Sequence, residues 1–317
     1  MKLATFCYQE QERLGAVDGA GRMVDLHKAY ASYLREAESN PAGDELARLT
    51  LGRDMVDFLR RGENALPAAR KALAHATANP NAAGNAMLDP NQIRLMSPVP
   101  RPGALVSAGK NFSDHVAEMA SKKGPSAPVA FLKLPGTVTG PEDDIPHPPE
   151  VKNLDYEVEL AIIIGKPCVD VSRDEALDYV AGYAAFNDIS ARDIIRGENK
   201  TGIHLMGKSF PGFAPMGPYL VTADEIPDPQ NLKLKLSVNG EIRQDSNLSY
   251  MIFKIRDMIV YWSQMGLNPG DVLTTGTPRG VAAGRKPDQP PWWLKPGDVV
   301  EAEVEHVGRL RNRIVAE

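Results

Sequence analysis

Cysteine is nearly absent: two residues in 317, Cys7 and Cys168, lie far apart and in no C-x-x-C pattern. That argues against a disulfide framework and against a thiolate zinc site. Both sit among apolar neighbours, as buried thiols do. No apolar run approaches the roughly 20 residues that a membrane-spanning helix needs. No G-x-G-x-x-G follows a strand-like run and no P-loop occurs, so no nucleotide cofactor is implied. Positive charge is not in excess: 36 Lys and Arg stand against 41 Asp and Glu, a net charge of −5. The densest cationic cluster, Arg309 to Arg313, is short and alternates with apolar residues, which speaks against a nucleic-acid surface. Internal repeats, low-complexity segments and a charged-then-apolar signal segment are also missing. A cytoplasmic, reducing location is the expectation.

What remains is an ordinary globular composition, 43% hydrophobic and 24% charged, in a chain long enough for about two domains. Residues 1 to about 74 alternate short strands and helices. Lys2 to Tyr8 and Arg13 to Val17 read as strands, with turn signals at Asp18-Gly19 and Gly21. Asp25 to Arg35, Asp54 to Leu59 and the alanine-rich Ala65 to Ala76 read as helices. Residues 77 to 103 hold Asn79-Pro80-Asn81, Asp89-Pro90-Asn91 and Ser97-Pro98-Val99-Pro100-Arg101-Pro102-Gly103, a loop-rich connection. We therefore expect a small α+β domain with its linker over 1–95 and a second domain over 96–317. From Ala104 onward strands dominate, with helices expected at Asp174 to Val180 and at Ser249 to Met265, the latter ended by Gly266. Val299 to Glu305 alternates strictly and is expected to pair with Leu310 to Val315 across a turn at Val307-Gly308-Arg309. The Pro-rich Arg285 to Trp293 reads as a packed surface loop or as a subunit or substrate contact.

The most telling stretch is Leu154 to Gly165, an apolar, β-branched run that reads as one buried strand. It carries Glu157 and Glu159, two residues apart and so on one face. Like charges that close in a half-buried sheet repel and are poorly solvated. A hard divalent cation is the simplest remedy. Asp188 ends a second apolar segment, Val180 to Asp188. Three carboxylates on adjacent strands would give an oxygen-rich site for Mg²⁺ or Mn²⁺.

Other polar residues are ambiguous on local grounds. His115 and Glu118 would share a face of a short helix capped by Ser113 or Asp114. The pair is either a surface contact or a carboxylate-oriented general base that activates water. Gly upstream and the Lys122-Lys123-Gly124 break suggest a mobile lid. Lys133 and Lys208, each between apolar neighbours, either snorkel to water or stand over a developing oxyanion. Arg192 either neutralises the acids or clamps a substrate carboxylate. Thr274 to Gly280 is either a plain turn or a place where substrate nears the backbone.

Taken together, Lys110-Asn111-Phe112-Ser113-Asp114-His115, Phe131-Leu132-Lys133, Leu154 to Leu160, Asn187 to Asp193, Gly207-Lys208-Ser209-Phe210, Val238-Asn239-Gly240-Glu241 and Thr275-Gly276-Thr277-Pro278 follow an order that resembles the fumarylacetoacetate hydrolase family. The likeness runs from about Leu105 to Ala316. It implies an α+β, mostly β architecture: a mixed β-roll behind a small α+β N-terminal domain, commonly in a homodimer. It implies Glu157, Glu159 and Asp188 as ligands of Mg²⁺, or of Mn²⁺ or Ca²⁺. It implies His115 and Glu118 as the water-activating dyad and Lys208 as the residue that stabilises an enolate. Lys133, Arg192, Asn111, Gly276 and Thr277 match substrate-lining positions. No role attaches to Arg196 to Leu205. The expected activity is hydrolysis of a carbon–carbon bond in an acylpyruvate or related β-diketo acid, as in aromatic catabolism, by a His-activated water and a cation that stabilises the leaving enolate. The alternative is a decarboxylase, isomerase or lyase acting on an oxaloacetate-like or dienoic diacid. A third possibility is a structural ion without catalysis.

Overall fold

The β-branched run after Glu157 is buried on both sides, because its two faces feed different cores. In the strand Val158–Ile164 every residue is buried. Val158, Leu160, Ile162 and Ile164 belong to one apolar cluster, Ala161 and Ile163 to another. This computed structural model describes residues 1–80, 84–119, 124–286 and 288–317.

Antiparallel neighbours flank that central strand, Val180–Asn187 on one side and Val272–Thr274 on the other. Leu105–Gly109 adds in parallel to the latter, and Val129–Leu132 forms the edge. In the other direction follow Ala214–Thr222, Lys2–Tyr8, Gln11–Val17 and Met23–Asp25. One sheet therefore runs from the amino-terminal residues into the rest of the chain. The helices Leu26–Glu36, Gly43–Leu51, Met55–Arg60 and Gly62–Ala78 cover one face through Leu26, Leu51, Phe58, Ala65 and Ala69. A second sheet, ordered Glu241–Asn247, Lys233–Val238, Val299–Val304, Gly308–Ala316, Ile145–His147, covers the other face with the helix Ile255–Ser263. The fold is α+β, as expected. No helix among the described residues is long and apolar enough to cross a membrane.

Several elements differ from the sequence reading in instructive ways. Leu154 to Gly165 is two strands, Leu154–Asp155 and Val158–Ile164, because Leu154–Asp155 pairs with Ser190–Ala191 instead. Asp174 to Val180 shrinks to a 3₁₀ turn, Ala176–Tyr179. Ser249 to Met265 divides into a 3₁₀ turn, Leu248–Tyr250, and the helix Ile255–Ser263, which starts where Asp257 accepts the Lys254 N–H at 2.9 Å. Gly266 follows at φ +75°, as a helix stop requires. The carboxy-terminal hairpin forms, but its turn is Glu305 to Val307, and the strand Gly308–Ala316 already includes Gly308 and Arg309. Lys122 and Lys123 of the expected lid lie outside the described residues, as do Asn81 and Pro287.

Close packing around the central strands has a direct test. A Cβ on Gly182 would sit 2.2 Å from the Val221 carbonyl oxygen and 2.5 Å from Leu220 Cδ2. Overpacking of this kind costs about 1–3 kcal/mol. Gly182→Ala should lower the urea midpoint accordingly; an unchanged midpoint would mean that these strands are further apart than described.

Candidate active site

Four strand ends meet at one edge of the main sheet. Val158 pairs with Asn187, Ala161 with Thr274, and Thr274 with Ser107. The start of the central strand thus lies beside the carboxyl ends of its neighbours. The ladder continues one residue further: Asp188 donates its N–H to the Glu157 carbonyl at 2.9 Å, and Glu157 donates to Asn187 Oδ1 at 2.9 Å. Those bonds hold Glu157, Glu159 and Asp188 together. One oxygen from each lies within 4.8 Å of the others, and all three residues are buried. The spacing read in the sequence is realised even though Glu157 stands just outside the strand.

Such a triad fits a hard divalent cation on the chemistry of its donors, which are all carboxylate oxygens. The electrostatics agree. Burial pushes the Glu159 carboxyl well above its usual range, and the charges on Asp188 and Glu157 push it further. Burial would raise Glu157 too, but Arg192, Lys208 and His115 outweigh it and bring the carboxyl down to about 2. Glu159 is thus the carboxylate whose charge the protein's own cations leave uncompensated. Its Oε2 accepts the Gly276 N–H at 3.0 Å.

Three cations hold the remaining oxygens. Lys208 Nζ bridges Glu157 Oε2 at 2.8 Å and Asp188 Oδ2 at 2.6 Å. Burial works against its charge, yet Asp188 and Glu157 hold its pKa above the ordinary lysine range. Arg192 gives Nε to Asp155 Oδ2 at 2.8 Å and an Nη to Glu157. Of its two sequence readings, neutralising the acids is the one these bonds describe. Lys133 Nζ donates to Asp188 Oδ1 at 2.5 Å and to the Ile189 carbonyl at 3.3 Å. It does not snorkel: its side chain is fully buried behind Asp188. Burial pushes its pKa down against the pull of Asp188.

In front of the acids lies a cavity of about 360 Å³, lined by Glu157, Glu159, Arg192, Lys208, Thr277 and His115 among others. His115 lies on the helix Ser113–Glu118, which starts after Phe112 without a side-chain cap. Asp114, expected as a cap, accepts the His115 N–H at 2.8 Å instead. His115 Nδ1 stands 3.5 Å from Glu118 Oε2 and makes no hydrogen bond among the described residues. Glu118 takes the Gly280 N–H on both oxygens, at 3.0 and 3.1 Å. Phe131 forms a further wall, its ring centre 4.7 Å from Lys208 Nζ.

Gly276 is not among the residues lining the cavity, and two more expected lining residues sit elsewhere. Asn111 is buried with its amide spent on the backbone: Nδ2 donates to Thr275 O at 3.0 Å and Phe253 O at 3.1 Å, and Oδ1 accepts Phe253 N–H at 2.9 Å. Lys133 is the other, behind Asp188. Asn111 and Lys133 thus support the floor rather than face the cavity. Gly276, at φ +77°, turns its N–H to Glu159, where a Cβ would come within 3.1 Å of the Ala108 carbonyl. Thr277 lines the cavity while its hydroxyl donates to Val158 O at 3.0 Å. Lys110, Asn199 and His204 also line it, without having been singled out in the sequence. Lys110 carried a signal only after the fact, a non-glycine residue at φ +53°. His204 lies in the segment to which no role attached.

The opposed pKa shifts of the two glutamates have opposite consequences for the metal-free protein. Glu157, depressed in the fold, contributes stability above the ordinary value of 4.5, lost as pH falls towards about 2. Glu159, raised in the fold, costs stability as pH climbs above 4.5. With chelator at pH 7, Glu159→Gln should therefore melt above the wild type, Glu157→Gln below it, and the Glu159→Gln advantage should vanish near pH 4. Mn²⁺ should raise the melting temperature of the wild type but not of Glu159→Gln. A Glu159→Gln variant that melts below the wild type in chelator at pH 7 would refute the repulsion.

Comparison with known proteins places this site. Residues 104–315 match the model of the fumarylacetoacetate (FAA) hydrolase C-terminal domain. The chain is 43% identical over 266 residues to the mitochondrial oxaloacetate tautomerase Fahd2a of Rattus norvegicus, covering 84% of this chain and 80% of that protein. Among solved structures, it superposes on fumarylacetoacetate hydrolase from Exiguobacterium antarcticum with a TM-score of 0.75 at 30% identity, over 100% of both chains. It also superposes on maleylpyruvate hydrolase from Sphingobium sp. SYK-6, solved with manganese(II) and pyruvate, with a TM-score of 0.71 at 28% identity, over 100% of this chain and 99% of that one. The acid triad, the cavity in front of it and these likenesses together establish that the chain belongs to the fumarylacetoacetate hydrolase family.

Proposed function

We propose that the protein is a divalent-cation-dependent enzyme that interconverts the enol and keto forms of an oxaloacetate-like keto diacid. The observation that carries this reading is the cavity that brings His115 and Lys208 to the rim of three buried carboxylates, in a chain 43% identical to an oxaloacetate tautomerase. Glu157, Glu159 and Asp188 would hold the cation, Mg²⁺ in the first instance and Mn²⁺ or Ca²⁺ as alternatives, which supplies Lewis acidity to the keto-acid oxygens.

The chain's own residues do the rest. His115, in its neutral form, takes the proton from the carbon beside the carbonyl of the keto form, and the resulting imidazolium returns a proton to the oxygen, directly or through water; the reverse restores the ketone. Lys208 stays charged, because Asp188 and Glu157 raise its pKa, and its ammonium favours negative charge building on the substrate oxygens. Arg192 keeps Glu157 ionised and in place. Thr277 and the Gly276 turn shape the floor. Phe131, Val129 and Met119 line the apolar side. A cavity of about 360 Å³ lies near the lower end of the range for small-molecule sites, as a small diacid requires.

Carbon–carbon bond hydrolysis is the second reading, and one observation favours it. His115 has Glu118 beside it, 3.5 Å away, the pairing that suits activation of a water, whereas a tautomerase needs only a proton carrier. The same proposal keeps residues 1–95 as a small domain with its linker and 96–317 as the catalytic domain, a cytoplasmic location, and a homodimer.

A panel with Mg²⁺ separates the two reactions. Loss of enol absorbance should be fastest with enol-oxaloacetate and should leave the carbon skeleton intact by mass spectrometry. His115→Asn should slow it by at least about 10²-fold with Mn²⁺ affinity retained. Cleavage of acylpyruvates or maleylpyruvate, with oxaloacetate untouched, would overturn the tautomerase reading in favour of hydrolysis. Full turnover by His115→Asn would remove the proton-transfer role.

A further inference from the structure

Asp155 lies outside the cavity, two residues from the nearer glutamate, and is completely buried. Its carboxylate receives four donors from three parts of the chain. Oδ1 accepts the Ala282 N–H at 2.7 Å and the Tyr156 N–H at 2.9 Å. Oδ2 accepts Arg192 Nε at 2.8 Å and the Ala283 N–H at 3.1 Å. A carboxylate with about four lone-pair directions is saturated by this set.

Arg192 and the Ala282–Ala283 pair lead to different halves of the site. Arg192 continues to Glu157, so Asp155 aims the guanidinium that holds an acid of the triad. Ala282 and Ala283 belong to the loop whose Gly280 N–H bonds both Glu118 oxygens. The two glycines in that loop report how closely it is packed. At Gly284 a Cβ would fall 2.3 Å from Glu118 Cδ, and at Gly280, φ +103°, 2.1 Å from the Arg243 carbonyl. The loop therefore rests directly against Glu118, and Glu118 stands beside His115.

We propose that Asp155 is a positioning residue that mechanically couples the acid triad to the His115–Glu118 pair, by anchoring Arg192 with one hand and the 279–284 loop with the other. Without it, Arg192 turns away from Glu157 and the loop lifts from Glu118, so the two halves of the site lose register together. This rests on the functional reading above only in supposing that both halves serve one substrate; the anchoring stands on the bonds themselves. Asparagine in place of Asp155 keeps the shape but sets an amide N–H₂ against either Arg192 and Ala283 or Ala282 and Tyr156, so it breaks one side of the link. Partners that orient metal ligands in this indirect way typically alter affinity or activity about 10- to 100-fold when removed.

Three variants test the coupling, each read without reference to turnover as well as with it. Asp155→Asn should weaken Mn²⁺ binding about tenfold by calorimetry, speed amide exchange across 279–284, and shift the NMR titration of His115. Arg192→Gln, though it lies on the opposite side of Asp155, should also speed exchange in 279–284. Gly284→Ala, which displaces Glu118 alone, should shift the His115 titration and lower kcat while leaving Mn²⁺ affinity at the wild-type level. If Arg192→Gln leaves 279–284 exchange and the His115 titration unchanged, Asp155 does not couple the halves and the proposal falls. An Asp155→Asn protein that melts lower but keeps the wild-type His115 titration would show a purely structural role and overturn it equally. A wild type inactive on oxaloacetate would defeat the functional reading without touching either outcome, since exchange and titration are read on the protein alone.

Discussion

Crowding of negative charge inside a dry sheet edge is the constraint on which everything else in this structure depends. Glu157, Glu159, Asp188 and Asp155 are all buried. Against them stand three cations, Lys133, Lys208 and Arg192. Ions taken out of water lose solvation worth several kcal/mol each even after relaxation. Only close, well-directed pairing offsets that, and the pairs here are close and share partners. Lys208 serves two acids, Arg192 serves two, and Asp188 is served by two lysines. One negative charge is left over, and it falls on Glu159, which accepts the Gly276 N–H but has no ion-pair partner among the described residues. A protein that carried this cluster for stability alone would do better with apolar residues of similar volume. The cluster makes physical sense as a receptor for a cation.

The scaffold shows how such a cluster is tolerated. The central strand is covered on both faces, so the acids are buried except where Glu157 and Glu159 line the cavity. Side chains complete the ladder where strands end. Gln244 accepts the Val158 N–H at 2.9 Å, Thr275 Oγ1 accepts the Leu160 N–H at 3.1 Å, and Asn111 pins the turn after Gly109 to Thr275 and Phe253. Each would otherwise be an unpaired buried group costing about 1–3 kcal/mol. The rigidity that lets like charges stay near one another is thus supplied by neutral residues that never face the cavity.

That division explains what could be read in the sequence. The i, i+2 spacing of Glu157 and Glu159 in an apolar run announced the acid pair, because strand periodicity is a local property. Asp188 and the helix carrying His115 and Glu118 followed from the same kind of pattern. Likeness to a family then gathered residues that spacing could not. Lys133 looked like a snorkelling lysine because its neighbours are apolar; its partner Asp188 is 55 residues away, beyond any local window. Asn111 matches a substrate-lining position only through the family likeness, yet its amide is consumed by residues more than 140 positions away. Asp155 gave no signal at all. The single long strand expected from Leu154 split because Leu154–Asp155 found a different partner in Ser190–Ala191, again a choice made across the fold.

The position of Lys208 bears on how one site can serve more than one reaction. Its ammonium lies on Glu157 Oε2 and Asp188 Oδ2, the acids that would also hold a divalent cation. Each carboxylate oxygen has a second lone-pair direction, so sharing is allowed by geometry. A divalent cation held by these acids would add a second positive centre beside the buried Lys208 ammonium. The open side of the lysine is the cavity and the face of Phe131. Charge on a substrate oxygen would then meet the lysine and the cation together. Both tautomerisation and carbon–carbon cleavage place developing charge on the same oxygens of a keto acid. On the proposed readings the reactions would part company only at His115, according to whether its proton comes from carbon or from a water.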